Sequence, residues 1–433
     1  PAQGAHRLAG LQRFLARVLV VAHHIPPRAG KGQAKRFAQA PRATRDKYGF
    51  GAVREGHWET IAGVMNEPTS LTSALHGCVA RAIADAGGWI AFDRFMALAL
   101  YAPGLGYYAN DSTKFGAMPE SGSDFVTAPE MTPLFGQTVA VQVAEALERT
   151  GTREIWEFGA GSGALALQLL GALGERVDRY TIVDISGSLR ARQQRLLAGY
   201  ADKLHWADAL PERFEGVVVG NEVLDAMPVK LLMRLAGQWH ERGVAMPDDA
   251  FVWQDRPTPL RPPVEAEGDH DYLTEIHPQA EAFIHTLGDR LTRGAALFLD
   301  YGFGESEYYH PQRHMGTVMC HRAHRSDDNP LVEVGLKDIT AHVNFTGIAL
   351  AAQEQPLPVG QGWNVLGYTT QAHFLINCGL LPKMELQTQA ERALAAKLIM
   401  EHEMGELFKV LLIGKGEPWE PCGFVQGDRS HRL

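Results

Sequence analysis

Asn221, Glu222 and Asp225 follow directly on the apolar run Val217, Val218, Val219 and Gly220 in "FEGVVVGNEVLDAMPV" (214–229). Two carboxylates and an amide set so closely at the end of an apolar strand can grip a guanidinium in bidentate fashion and draw its positive charge away from the attacking nitrogen. These three are the candidate catalytic residues, and a nitrogen acceptor is the chemistry they suit. A local reading stays open beside it, with Asp225 capping a helix and Glu222 pairing with a nearby Arg.

A second set lies in "IWEFGAGSGALALQLL" (155–170), where three glycines, Gly159, Gly161 and Gly163, alternate after a short apolar run and before a helical stretch. Glycines here let the backbone turn tightly and approach a ligand, and the helix start offers free N–H groups. The spacing is G-x-G-x-G, one residue short of the dinucleotide pattern G-x-G-x-x-G, and no Gly-Lys-Ser/Thr ending marks a P-loop. Ser162 has Ala160 and Ala164 where a nucleophile elbow needs glycines, so a hydrolase is excluded. Glu157 lies two residues before the first glycine. A pyrophosphate gains nothing from a carboxylate there, whereas S-adenosylmethionine (SAM), which carries a sulfonium and an ammonium and no phosphate, does. The turn favours SAM over NAD, with a nicotinamide dehydrogenase as the rival reading.

"RYTIVDIS" (179–186) is a second strand, ending in Asp184. An acidic residue about 20 positions beyond a glycine turn is placed to accept from the two ribose hydroxyls. "KLHWADAL" (203–210) supplies Trp206 and Asp208 near an adenine position, Trp206 being more simply a packing residue. The expected cofactor-binding set is Glu157, Gly159, Ala160, Gly161, Gly163, Asp184 and Asp208.

Several further blocks carry a resemblance. "WEFGAGSGALA", "GNEVLDAMPV", "FLDYGFGESEYYHPQR", "GTVMCHRAHR" and "DITAHVNFT", together with "YAPGLGYYAN" (101–110), "DFVTAPEMTPLFG" (124–136) and "LFKVLLIGKG" (407–416), resemble the MidA family of class I SAM-dependent methyltransferases over roughly residues 65 to 417. The resemblance implies a Rossmann-like, doubly wound α/β sheet with SAM as cofactor. Eukaryotic members of the family are mitochondrial assembly factors for respiratory complex I, and protein arginine is the acceptor in that branch. A second rival reading is a SAM-binding assembly factor that holds a partner without essential catalysis; the carboxylates Glu222 and Asp225 speak against it. Methyl transfer is an in-line displacement in which alignment and preorganised electrostatics suffice, so no covalent nucleophile is required.

The elements that must position these residues follow from the apolar pattern. The chain reads as helix from Leu71 through about Leu100, a Gly/Pro-rich region over 101–136, and a helix from about Gly136 to Arg149. The SAM-binding domain is expected over 151–417. It is interrupted by a hairpin-containing insertion at about 230–278 and by a substrate-side loop at about 305–345, and residues 418–433 form a tail. A helix over 279–293 and the strand "AALFLDYGFG" (295–304) resume the nucleotide fold after the insertion, Asp300 and Tyr301 marking another strand end. Residues 65–150 are expected to form an N-terminal helical and loop region contributing to the site.

The first 64 residues are rich in Arg and Lys and free of acids before Asp46. They resemble a transit peptide or a faint signal core, and a disordered or misassigned extension fits better, with the functional protein starting near Met65. A net charge of −9 argues against general nucleic-acid binding and is compatible with a basic protein substrate. At 433 residues and 45% hydrophobic the chain suits one elaborated catalytic domain. Cys78, Cys320, Cys378 and Cys422 are scattered without a C-x-x-C pair, pointing to a reducing compartment and to no zinc site; the resemblance implies a bacterial-type cytoplasm, with the mitochondrial matrix as its eukaryotic counterpart. No apolar run approaches the roughly 18 residues of a membrane span. His310, His314, His321 and His324 cluster without zinc spacing and read as part of the substrate-side loop, to which His342 and Asn344 are candidates as cleft or packing residues.

Overall fold

The computed structural model describes residues 68–110, 127–184, 187–354 and 362–433. The basic segment 1–64 and the expected start at Met65 lie outside the described residues.

The expected helix over 71–100 is two helices. α1 (Pro68–Asp85) ends before Gly87 and Gly88, which adopt φ of 77° and 92°, and the chain then forms the short strand β1 (Trp89–Ala91) and α2 (Phe92–Tyr101). Two consecutive left-handed residues cannot continue a right-handed helix, and glycine makes the break cheap. After the first undescribed internal stretch come α3 (Ala128–Met131) and α4 (Leu134–Thr150), the latter closed by Gly151 in the left-handed conformation.

The nucleotide fold then runs β2 (Glu154–Phe158), α5 (Ala164–Leu173), β3 (Arg179–Val183), α6 (Gly187–Leu196), β4 (Leu204–Ala207) and β5 (Phe214–Asn221). The insertion is an antiparallel sheet in which β6 (Lys230–Leu235), β7 (Gln238–Ala245) and β8 (Val252–Pro257) are successive neighbours and β9 (Tyr272–Ile276) returns to lie beside β6, and β1 joins it by pairing with β7. α7 (Pro278–Arg290) and the long β10 (Leu291–Phe303) return to the main sheet.

The stretch expected as a substrate-side loop holds regular structure of its own: α8 (Glu305–Tyr308), β11 (Met319–Arg322), β12 (Arg325–Asp327), β13 (Asp338–Thr340) and β14 (Val343–Asn344). α9 (Phe345–Gln353), β15 (Trp363–Thr370), α10 (Gln371–Asn377), α11 (Leu380–Glu385), α12 (Gln389–Lys397) and β16 (Phe408–Lys415) complete the fold.

The main sheet has the order β15-β16-β10-β5-β2-β3-β4. β10, β5, β2, β3 and β4 are mutually parallel, and β16 lies antiparallel between β10 and β15. Apolar clusters cover both faces, one built on Val143, Leu169, Val217 and Val219, the other on Trp156, Val218, Ile284 and Phe298. This is the doubly wound architecture expected, and its strand order reverses between β2 and β5, so a crevice opens beyond their carboxyl ends.

Residues 418–433, read from the sequence as a tail, lie along the outer edge of β15. Arg429 N donates to Tyr368 O (2.6 Å) and Tyr368 N donates to Asp428 Oδ1 (3.0 Å), which satisfies part of an edge that would otherwise be open.

Candidate active site

The carboxyl ends of β2, β3, β4, β5 and β10 open onto one cavity of about 520 Å³. Glu157, Gly159, Ala160, Gly161, Asp184, Asp208, Asn221, Glu222 and Asp225 all border it. Gly163, expected on the ligand side of the turn, does not. It adopts φ of 92° at the start of α5, and a Cβ there would meet Gln193 Cγ and Leu197 Cδ1 at 3.4 Å, so this glycine serves the close packing of α5 on α6.

The acidic side chains on the cavity wall are Glu130, Glu157, Asp184, Asp208, Glu222, Asp225 and Asp338, and among the described residues no Lys or Arg borders it. Such a wall attracts a cation and opposes a pyrophosphate.

At the glycine turn, Gly159 and Gly161 adopt φ of 62° and 52°. A Cβ on Gly159 would lie 3.0 Å from Val223 Cγ2, so the turn after β2 packs closely against the Val223 side chain of the turn after β5. Glu157 is 2% exposed and accepts from Tyr180 Oη at 2.8 Å. Burial pushes its carboxyl up to about 8, the Tyr180 hydrogen bond opposing and Asp184 adding to the rise. Ser162 donates to the Glu130 carboxylate and accepts from Ala164 N at 3.2 Å, a local turn contact just before α5.

Gln193, which no sequence pattern singled out, is fully buried and joins the parts of this end. Its Nε2 donates to Gly161 O and to Asp184 Oδ2, both at 3.0 Å, and its Oε1 accepts from Trp206 Nε1 at 2.9 Å. Trp206 is thereby turned toward α6, beneath the Arg190 guanidinium at 5.8 Å, and packs there without bordering the cavity.

At the other end, Glu222 occupies the left-handed region with φ of 51°, uncommon for a residue with a Cβ and often a mark of a functional turn. Asn221 Nδ2 donates to Glu222 Oε1 at 3.0 Å. Burial and then Asp225 push the Glu222 carboxyl up to about 8. Asp225 is raised to about 6 by burial, while the hydrogen bond from Tyr301 Oη (2.6 Å) holds it down. Among the described residues Asp225 caps no helix and Glu222 has no Arg partner, which disfavours both local readings. Asn221 Oδ1 and Gln279 Nε2 are buried with no hydrogen-bond partner among the described residues.

Four residues distant in sequence complete this end. Tyr101 and Tyr108 stack at 5.6 Å with 19° between their planes, Tyr101 Oη donating to Ala226 O and Tyr108 Oη to Asp338 Oδ2, both at 2.8 Å. His342 borders the cavity edge-on to Tyr301 (5.1 Å), and burial together with the Arg313 and Lys409 charges lowers it to about 4, so its ring is neutral at pH 7. Asn344 faces away and caps α9, accepting from Gly347 N at 3.3 Å. Of the histidine cluster only His321 reaches the cavity, and among the described residues no three His, Cys, Asp or Glu side chains form a metal set.

Comparison with known proteins bears on these features. Residues 138–369 match the model of a family described as S-adenosyl-L-methionine-dependent methyltransferases. A COG1565 superfamily member from Burkholderia thailandensis, solved with S-adenosyl-homocysteine bound, is 47% identical with a TM-score of 0.80, over 86% of this chain and 100% of that one. The protein arginine methyltransferase NDUFAF7 homolog of Caenorhabditis elegans, a mitochondrial protein, is 27% identical over 73% of this chain and 80% of its own. The Danio rerio protein arginine methyltransferase NDUFAF7, also mitochondrial, is 26% identical over 74% and 80%. The acid-lined crevice at the switch point and these matches agree with the MidA resemblance, and the chain belongs to the S-adenosyl-L-methionine-dependent methyltransferase family.

Proposed function

We propose that the protein transfers the methyl group of SAM to a guanidinium nitrogen of an arginine in a protein substrate. The observation that carries this reading is the acceptor end of the cavity, where Glu222, Asp225 and Asp338 gather beside stacked tyrosines with no basic side chain among the described lining residues. A planar guanidinium matches two carboxylates bidentately and stacks on aromatic faces, which an ammonium does less well. A phosphate-bearing acceptor is repelled by the same wall. Two relatives named protein arginine methyltransferases support the assignment.

In this reading Glu157 faces the ammonium of SAM, Gly159 and Gly161 with Ala160 leave room for its backbone approach, and Asp184 and Asp208 face the adenosine. When bound, SAM supplies an electrophilic methyl carbon on a sulfonium. Asn221, Glu222 and Asp225 would hold the guanidinium with one nitrogen turned toward the methyl position, where bound SAM would supply the methyl group and keep the electrons of its carbon–sulfur bond on sulfur. Asp225, ionised at pH 7, receives the proton the nitrogen loses.

The four cysteines are free thiols, which suits a reducing compartment such as a bacterial cytoplasm. Mass spectrometry of methylated peptides, comparing cells with and without the protein, tests the acceptor. Loss of methylarginine at defined protein sites is the expected result, and loss confined to another nucleophile, or no loss at all, overturns it.

A further inference from the structure

The turn that presents Glu222 and Asp225 has no regular secondary structure of its own, yet it is fastened at several points. Asp300, 1% exposed on β10, gathers three consecutive backbone N–H groups on one oxygen: Val223 N at 3.1 Å, Leu224 N at 2.8 Å and Asp225 N at 3.3 Å all donate to Oδ2. Its second oxygen accepts from Tyr301 N at 3.0 Å. The register that sets Leu299 opposite Asn221 brings Asp300 beneath the turn, and Glu222 N donates to Leu299 O at 2.9 Å. On the far side Ala341 N donates to Asp225 O at 3.0 Å.

A carboxylate buried among Asp225 and Glu222 is electrostatically unfavourable, and an apolar residue would fill the same space without that cost. What the carboxylate adds is geometric. Three N–H groups converging on one oxygen fold the backbone tightly after Glu222 and leave that residue at φ of 51°. From there the Glu222 and Asp225 side chains both border the cavity. We infer that Asp300 is a positioning residue for methyl transfer, holding the Val223–Asp225 turn so that Glu222 and Asp225 meet the acceptor together. The inference rests on the reading of Glu222 and Asp225 as acceptor-facing groups.

The test uses the full chain and Asp300→Asn, whose amide nitrogen presents hydrogens where N–H donors now point. Three measurements are made: affinity for S-adenosylhomocysteine by calorimetry, steady-state transfer from tritiated SAM to the peptide acetyl-Gly-Gly-Arg-Gly-Gly-amide, and a crystal structure of the S-adenosylhomocysteine complex. The expected result is affinity within about threefold of wild type, KM for SAM unchanged within the same margin, kcat reduced at least about a hundredfold, and Glu222 displaced from the left-handed region. A purely structural Asp300 would instead lower affinity, melting temperature and kcat together. Unchanged kcat, or Glu222 still at positive φ in the variant crystal, overturns the inference.

Glu222→Gln and Asp225→Asn are assayed in parallel. If these amide variants keep full transfer, the acceptor assignment fails whatever Asp300→Asn does. If they lose transfer and Asp300→Asn keeps it, the positioning role alone fails. Should the wild type leave the peptide unmethylated, the guanidinium reading fails for that probe, and the crystal still decides whether Asp300 sets the turn.

Discussion

The Tyr301 hydroxyl donates to Asp225 Oδ2 across 2.6 Å and is the strongest influence opposing burial on that carboxyl. Because the hydrogen bond favours the ionised form, Asp225 titrates at about 6 and stays charged at neutral pH. Tyr301→Phe removes the donor, raises the Asp225 pKa and lowers the charged fraction at pH 6. The acid limb of the kcat profile should therefore move to higher pH, with a several-fold loss at pH 6 and little loss at pH 8.5. A uniform loss across the range would assign Tyr301 to packing against Phe408 and His342.

Glu157 gives a second pH dependence of opposite origin. Burial raises it to about 8, so in the free protein at pH 7 it is largely protonated. A cationic ligand favours the ionised form, and SAM binding should draw off a proton. Linkage then predicts that SAM affinity rises as pH approaches 8, by up to about tenfold per unit at the low end, and levels off above it. Calorimetry at pH 7 in buffers of different ionisation enthalpy should register close to one proton released. Glu157→Gln should flatten the profile, and an equally steep profile in that variant would remove Glu157 from the cofactor.

Gly161 has φ of 52°, and its neighbours border the cavity. Valine is strained there and puts a branched Cβ against the cofactor's path. Gly161→Val should abolish SAM binding while circular dichroism and a cooperative melt show the fold retained. Retained affinity would take the turn out of the site.

What the sequence could disclose was contiguous. The glycine turn, the carboxylate before it, the acid ending the next strand and the Asn-Glu-x-x-Asp run are each read within one strand and its following turn, where period and residue type speak directly. The structure brings them to one cavity, Gly163 excepted. Contacts made across the chain left no local trace. Tyr108 meets Asp338 across 230 positions, and Tyr101 reaches Ala226 across 125. Gln193 is one of several polar residues among the arginines of α6, and only the packing of α6 against the glycine turn sets it inward. Asp300 was visible as a strand end, but its three N–H partners belong to a loop about 75 residues earlier. The break at Gly87 and Gly88 was legible as a glycine pair and was overridden by the apolar period on either side.

Asp184 and Gln193 can be separated energetically. If Asp184 accepts hydrogen bonds from the ribose, Asp184→Ala should weaken SAM by about 1.5–3 kcal/mol. Gln193→Ala leaves that carboxylate in place but frees it from its 3.0 Å tether, so a smaller loss of about 1 kcal/mol is expected. A larger effect from Gln193 than from Asp184 would mean that the splint to Gly161, and not the ribose contact, governs affinity.

The nature of the acceptor turns on Glu222 and Asp225. Their amide variants, Glu222→Gln and Asp225→Asn, keep shape and volume and remove the charge that Asp225 carries at pH 7 and that Glu222, raised to about 8 when free, takes on as a guanidinium binds, so cofactor binding at the other end of the cavity should stay within a few-fold of wild type. Transfer to an arginine peptide should fall at least about a hundredfold in each, the pattern of groups that act as the transition state forms. The two losses should not multiply in the double variant, because a guanidinium gripped by one carboxylate is already misaligned for transfer. Asp225→Asn should also remove the part of the acid limb near pH 6 and leave the part set by Glu222, which burial raises to about 8. Equal losses in SAM affinity and turnover would place both carboxylates on the cofactor. Full activity in both variants would remove them from catalysis and leave a SAM-binding protein whose work is to hold a partner.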